Sequence, residues 1–417
     1  MQDRYRVLLL METSRMYGRS ILRGIARYCR THGPWVFLRR APFYWGTSGT
    51  RESLRALRAL GAHGMVLREQ GERDQMLKLL SLGLPTIVSP YTEPFAGPPN
   101  ILTDDAAIGT MAATYLLDRG FRHFAYCGFG DTYYWSRRRG VSFGDTIRGA
   151  GFDVHCYEYE QPGTKTPHSW EKEQAILTDW LRGLPQPVGL MACNDDRCQD
   201  ILEACKAAGL HVPEQVAIVG VGNDDLVCDL AAPPLSSVAL SAQKAGYEAA
   251  AILDRWMGGD KIASLRVEVV PPSNRGQDAR DTRTAVGDPI IVRPSRVVTR
   301  QSTDVFAVPD RQVVEALRFI HTCARKEAIQ VDDVLRSVPV SRRSLYDRFA
   351  RTLGRSVHEE IKRVRVDELT HLLVDTDLPM SQLALQLGCP DIKNLARYFK
   401  QSTGVTPLQY RHRHSPQ

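Results

Sequence analysis

Nine short apolar runs recur along the first half of the chain. They are "RVLLL" (6–10), "WVFLR" (35–39), "GMVL" (64–67), "PTIVS" (85–89), "NILTD" (100–104), "HFAYCG" (123–128), "VHCYEY" (154–159), "VGLMAC" (188–193) and "VAIVGVG" (216–222). Most are apolar at successive rather than alternate positions, so both faces of the strand are buried. Parallel sheets covered by helices have that property. The intervening stretches carry helical periodicity, as in "GRSILRGIARYCRTHG", "ESLRALRALGAHG", "IGTMAATYLLDRG", "EKEQAILTDWLRGLP" and "RCQDILEACKAAGLHVPE". There are too many strands for one ordinary doubly wound unit, and two α/β lobes in succession are expected. Residues 235–260, "LSSVALSAQKAGYEAAAILDRWMGGD", predict one more long helix.

The texture then changes twice. "PPSNRGQDARDTRTAVGDP" (271–289) is nearly devoid of apolar residues and rich in turn formers, which reads as a linker or loop. From Val308 onward the pattern is helical. The expected organisation is therefore a two-lobed ligand-binding domain over 1–270, a linker or insertion over 271–307, and a helical domain over 308–413.

The helical third holds one plan twice. In the first copy Val331, Val334 and Leu335 form a stripe and "VPV" makes a turn. Ser341 caps a helix whose inner side is Leu345, Phe349 and Leu353. In the second, Leu383, Ala384 and Leu387 form the stripe, Gly388 permits the turn, and Leu395 and Phe399 face inward. This is a helix-turn-helix pattern in tandem, with residues 356–376 as a rigid spacer. The outer faces offer Arg342, Arg343, Tyr346 and Asp347 on the first copy. On the second they offer Ile392, Lys393, Ala396 and Arg397. Cations of this kind read guanine edges and hold phosphates. A plain helical bundle with a solvated face is the simpler alternative; two basic copies in tandem favour DNA.

Charge agrees with that placement. The chain carries a net charge of +7, and residues 308–417 hold 18 Lys and Arg against 13 Asp and Glu. A basic module on a neutral body points to a polyanion at one end. Nine cysteines in no C-x-x-C spacing read as buried reduced thiols rather than disulfides or a zinc site, and no cofactor or metal is expected. No run reaches the length of a membrane helix, and the apolar stretch at 6–10 is too short for a signal peptide, so a cytoplasmic protein is expected.

The last third resembles an AraC-type DNA-binding domain. The resemblance is carried by "SRRSLYDRFARTLG" and "MSQLALQLGCPDIKNLARYFKQSTGVTPLQYR", with the family frame falling on Ala384, Gly388, Phe399, Lys400, Gly404, Pro407, Tyr410 and Arg411. Cys389 and Leu395 stand where that family commonly has aromatics. The body resembles the sugar-binding core of lactose- and ribose-repressor-type regulators, through residues 103–128, 189–225 and 233–253. This order of parts is similar to the xylose-operon activator branch, including "RQSTD" (300–304), with 272–294 as an insertion. The resemblance implies a two-lobed periplasmic-binding-protein-like α/β core with a cleft crossed three times by the chain, followed by an all-α tandem helix-turn-helix domain.

In open α/β lobes ligands sit beyond the carboxyl ends of strands. The strand ends here offer Glu12, Thr13, Asp104, Asn194, Asp195 and Asn223, and the loop after residue 128 adds Trp135 and Arg139. By resemblance, Asp104, Arg139, Asn194 and Asp195 match ligand-contact positions, and Tyr17 lies near the cleft mouth. Each has a structural alternative: Asp104 and Asp195 as helix caps, Trp135 as core, Arg139 as the partner of a structural carboxylate. Relatives commonly place an Asp where this chain has Gly222, so Asn223 or Asp224 is the candidate replacement acceptor.

Three functions compete. A sugar-responsive transcription factor binds promoter DNA at repeated half-sites, takes an aldose as effector, works as a homodimer and has RNA polymerase as a further partner. A sugar-binding protein without a DNA target would not need the tandem helix-turn-helix. An enzyme would need a triad, P-loop or metal cluster, none of which the sequence shows. The first reading is the expected one: a regulator, and an activator, of a sugar-catabolic operon.

Overall fold

The computed structural model describes residues 4–39, 59–69, 73–130, 133–158, 169–260, 288–324, 329–376, 378–388 and 391–414. The helix expected over 52–64 lies largely outside these residues, as does most of the linker expected from 271. The chain divides into two units, Met1–Asp104 with Ser241–Arg293, and Asp105–Leu240 with Pro294–Ser415. It passes from one to the other three times, after Asp104, Leu240 and Arg293.

In the first unit, β1 (Arg6–Leu10), β2 (Val36–Leu38), β3 (Gly64–Arg68) and β4 (Thr86–Ser89) form a parallel sheet in the order β2-β1-β3-β4. A second pair, β5 (Ile101–Thr103) and β11 (Ile290–Val292), is also parallel. Leu8, Met65, Leu67, Met76, Val88 and Phe95 make its core. Helix α1 (Met16–His32) crosses α8 (Ala242–Met257) at two glycines. A Cβ on Gly24 would stand 2.0 Å from the Gln243 carbonyl, and one on Gly246 2.0 Å from that of Ile21, so no larger residue fits either helix there. Helix α2 (Arg73–Leu80) completes the unit's described elements.

The second unit holds a six-stranded sheet, in the order β12-β10-β9-β8-β6-β7. Its strands are β6 (His123–Cys127), β7 (Val154–Cys156), β8 (Val188–Ala192), β9 (Val216–Gly222), β10 (Ser236–Leu240) and β12 (Pro294–Val298). All neighbours are parallel except β12 on β10. Helices α3 (Asp105–Asp118), α4 (Tyr134–Gly149), α5 (Trp170–Arg182), α6 (Asp195–Ala208) and α7 (Asp225–Leu230) connect them.

Two expectations need correcting. Residues 236–240 form a strand rather than the start of a long helix, because the helix begins only at Ala242, after Ser241. Residues 290–298 are not linker: they form β11 and β12, and Gln301–Thr303 a short 3-10 turn. Their apolar residues are split by Arg293, Pro294 and Arg296, which hides the strand pattern. A proline at the first position of an edge strand costs no ladder bond.

Among the described residues seven helices follow: α9 (Arg311–Cys323), α10 (Val331–Ser337), α11 (Arg342–Leu353), α12 (Val357–Asp375), α13 (Met380–Gln386), α14 (Ile392–Thr403) and α15 (Pro407–His414). Helix α12 serves two cores. Val357, Ile361 and Val364 join Leu345 and Phe349 in the first, while Val366, Leu369 and Leu373 join Leu395 and Phe399 in the second. Ser356 starts this spacer with a capping box, its side chain exchanging hydrogen bonds with Glu359.

Candidate ligand site and nucleic-acid interface

The four-stranded and the six-stranded sheet each reverse their strand order at one place, between β1 and β3 in the first unit and between β6 and β8 in the second. The crevice at the carboxyl ends beside such a reversal is where doubly wound sheets take ligands. Of the expected site residues, Glu12 and Thr13 follow β1, Trp135 and Arg139 lie on the helix after β6, and Asn194 and Asp195 follow β8, beside these reversals; Asp104 follows β5 of the separate pair and Asn223 follows β9.

In the first unit Glu12 and Thr13 follow β1. Glu12 accepts from the Arg15 amide at 2.8 Å and from the Ser14 hydroxyl, and lies 3.9 Å from the Arg68 guanidinium. Thr13 accepts from Arg39 at 3.1 Å. The Arg68 guanidinium stands 4.7 Å over the Tyr17 ring and 5.2 Å over Tyr91, and donates to Ser89 at 3.0 Å. Arg68, Ser89 and Tyr91 thus join the set, though sequence reasoning missed them. The signal was present: Arg68 and Ser89 end two apolar strands. Asp104 follows β5 and donates its amide to the Val292 carbonyl at 2.9 Å.

In the second unit Arg139 is buried on α4. It donates to Asp105 at 2.9 Å and to the Cys193 carbonyl at 2.7 Å. Its partner is therefore Asp105, one residue past the aspartate singled out from the sequence. The guanidinium also stands 4.9 Å over the Trp135 ring, which stacks on Tyr133 with centroids 5.3 Å apart. Trp135 is part of an aromatic and cationic stack as well as buried. Asn194, not Asp195, caps α6, accepting from the Arg197 amide at 2.8 Å. Asp195 turns into the lobe instead, and accepts from the Ser237 hydroxyl at 2.5 Å and the Asp224 amide at 2.9 Å. Burial first, with Asp196 and Asp224 nearby, lifts its carboxyl to about 6 against those two hydrogen bonds.

The strand end at Gly222 departs from expectation in a defined way. Gly222 has φ +127°, a conformation that side chains rarely adopt, and a Cβ there would stand 3.0 Å from Asp195 Oδ2. Asp195 thus already occupies the neighbourhood an Asp at 222 would enter. Asn223, at φ 50°, is engaged as well: its Oδ1 accepts from Arg300 at 2.9 Å and its amide donates to Ser237 at 3.0 Å. Asp224 is buried. Ser237 and Arg300 are further residues that the sequence did not single out.

The two helix-turn-helix copies repeat position by position. From Ser341 and from Asp391, the burial pattern along the next ten residues is identical. Ser341 caps α11 by accepting from the Ser344 amide, and Asp391 caps α14 by accepting from that of Asn394. Gly354 and Gly404 end the two helices in the left-handed conformation. Arg342, Arg343 and Asp347 are exposed on α11, and Ile392, Lys393 and Arg397 on α14; Tyr346 is half-buried. Arg342 pairs with Asp332, and Arg397 donates to Asn394 at 2.5 Å. Arg343 and Lys393 occupy equivalent places in the two copies. Arg411 closes the second copy by donating to the Leu373 and Leu378 carbonyls.

Residues 113–276 match the periplasmic binding protein-like domain family and residues 334–413 a helix-turn-helix domain family. The chain is 26% identical to the xylose operon regulatory protein of Escherichia coli strain K12, over 98% of this chain and 97% of that one. It is 27% identical to the Haemophilus influenzae protein of the same name, over 98% of each. The solved structure of a xylose-binding transcription activator covers 99% of both chains, with a TM-score of 0.56 and 25% identity.

Proposed function

We infer that this chain, a DNA-binding transcriptional regulator built like the xylose operon regulators and not an enzyme, responds to a small aldose and activates a sugar-catabolic operon. One observation carries the reading most directly. A tandem pair of capped helices with the same exposed face follows an α/β body whose two larger sheets both reverse beside polar strand-end groups. Asp104, Arg139, Asn194 and Asp195 are the proposed hydroxyl partners, with Glu12, Thr13, Tyr17 and Asn223 beside them. Trp135 is proposed to cover an apolar sugar face. Arg342, Arg343, Tyr346, Asp347, Ile392, Lys393 and Arg397 are the proposed DNA contacts, in successive major grooves about 34 Å apart.

The ligand-binding domain is proposed to run to the 3-10 turn at Gln301–Thr303, with the DNA-binding domain following it. The protein is proposed to work as a cytoplasmic homodimer on repeated half-sites, with RNA polymerase as a partner; among the described residues no helix is long and apolar enough to cross a membrane. The sugar acts by shifting a population, through its different affinity for the protein's conformations. With Gly222 where relatives commonly carry a carboxylate, an aldose substituted differently from D-xylose is favoured.

A thermal-shift screen of pentoses and hexoses, followed by footprinting on the promoter region beside the chain's own gene, tests both halves. Stabilisation by no sugar refutes the sensor reading. Absence of any protected segment refutes the DNA reading.

A further inference from the structure

Helix α3 has a charged contact at each end. At its start Asp105 pairs with Arg139, which also binds the carbonyl preceding Asn194 and Asp195. At its finish, about 20 Å away for 14 residues, Asp118 meets two arginines of the DNA-binding domain. Arg355 reaches its carboxylate at 3.3 Å and its backbone carbonyl at 2.8 Å, and Arg363 reaches the carboxylate at 3.1 Å.

Both arginines are fixed from behind. Glu360, with a fully buried side chain, accepts from Arg355 at 2.6 Å and from Arg363 at 2.7 Å, and hydrogen-bonds His321 at 3.0 Å. These partners outweigh the upward push of burial and hold its carboxyl well below the usual range. The guanidinium groups are thus oriented by their own domain and present their remaining donors to Asp118. Charge-assisted hydrogen bonds from a fixed fork to one carboxylate are directional.

The adjacent residue secures the connecting segment. Arg119 donates to the Thr303 carbonyl at 3.0 Å, its own carbonyl accepts from the Ala307 amide at 2.9 Å, and its guanidinium lies 3.8 Å over Tyr115. Tyr115 in turn contacts the hydroxyls of Thr299 and Thr303. Packing of α3 on α4 is equally restrictive, since a Cβ on Gly109 would stand 2.5 Å from the Arg139 carbonyl.

We propose that Asp118 is a positioning residue: it fixes α12, the helix shared by both helix-turn-helix copies, to the far end of a rigid helix whose near end carries the proposed ligand-site ion pair. The link to sugar binding rests on the function proposed above; the clamp itself does not. Because α12 contributes to both cores, setting its orientation sets both recognition helices together.

Amide hydrogen exchange on the full chain, without sugar or DNA, tests the clamp. Asp118→Ala and Asp118→Asn should each speed exchange over residues 304–310 and 357–363 by about tenfold, the scale of a lost hydrogen bond to a charged group. Asp118→Glu should stay within about threefold of the wild type, the residual cost of a shifted ion pair. Exchange in β6, β8 and β9 should not change in any variant, which separates loss of the clamp from misfolding. Equal exchange in wild type and Asp118→Asn would overturn the proposal. A second arm measures anisotropy on the promoter fragment with and without D-xylose. A sugar effect in the wild type that shrinks in Asp118→Asn supports coupling through α3, and an undiminished effect overturns it. A wild type indifferent to D-xylose agrees with the differently substituted aldose proposed above, and the exchange rates then decide the clamp by themselves.

Discussion

At the residue scale, Asp195 and Gly222 have to be understood together. An ionised Asp195 is the better acceptor for sugar hydroxyls, and its carboxyl titrates near 6. Affinity for the effector should therefore rise as pH increases through that value, and calorimetric titration at pH 5 should give binding several-fold weaker than at pH 7.5. In Asp195→Asn this pH dependence should vanish. The same shift has the opposite sign for the apo fold. The folded value lies above that of an unfolded Asp, about 3.9, so stability is fullest below pH 4 as far as this group is concerned, and declines as pH rises toward 6. At position 222 the neighbouring carboxylate and the positive φ both oppose an aspartate. Gly222→Asp should lower the stability of the apo protein by about 1–3 kcal/mol rather than restore affinity, a difference that urea denaturation resolves. Part of this arrangement is legible in the sequence: Asn194 and Asp195 stand at a strand end, and Arg139 in the stretch after residue 128. The identity of Arg139's partner is not, because Asp104 and Asp105 are adjacent and only the helix start decides which one turns toward α4.

Among the elements, the two recognition helices offer the sharpest test. Arg343 is exposed near the start of α11, and Arg397 lies one turn into α14, held by Asn394. If each reads a base edge, Arg343→Ala and Arg397→Ala should each weaken specific binding by about 1–3 kcal/mol while leaving non-specific binding little changed. Anisotropy with operator and scrambled duplexes at one salt concentration checks this; equal losses on both duplexes would make these arginines phosphate contacts instead. These helices were legible because their signals are local: a cap, a period near 3.6, and a glycine at the end. Strands β10, β11 and β12 were not. "SSVAL" abuts the Ala-rich helix that follows it, "IIV" is a three-residue apolar run before Arg293, and Val297 and Val298 are a two-residue one after Arg296. Such short runs become strands through their neighbours in the sheet rather than through their own periodicity. Arg68, just after "GMVL", and Ser89, the last residue of "PTIVS", were not singled out, although a strand's last residues face a site in this kind of fold.

For the whole molecule, the excess of positive charge in the last third now falls on a module that shares a core helix, α12, between its two DNA-reading copies. A body that binds a neutral sugar has no need of that excess; a DNA-binding module does. What joins the two activities must be a free-energy coupling, and coupling is reciprocal. Suppose the effector raises affinity for the promoter fragment by a given factor; the fragment must then raise affinity for the effector by that same factor. For regulators of this kind the factor is expected to lie between about 5 and 150. Two titrations at one salt concentration decide it: DNA binding at zero and saturating sugar, and sugar binding at zero and saturating DNA. Matching factors, falling together in Asp118→Asn while each separate affinity stays near its uncoupled value, place the communication in the α3–α12 contact. A factor near one in the first titration, with tight binding of both ligands, would mean that sugar and DNA are held independently and that the regulatory reading of this fold is wrong.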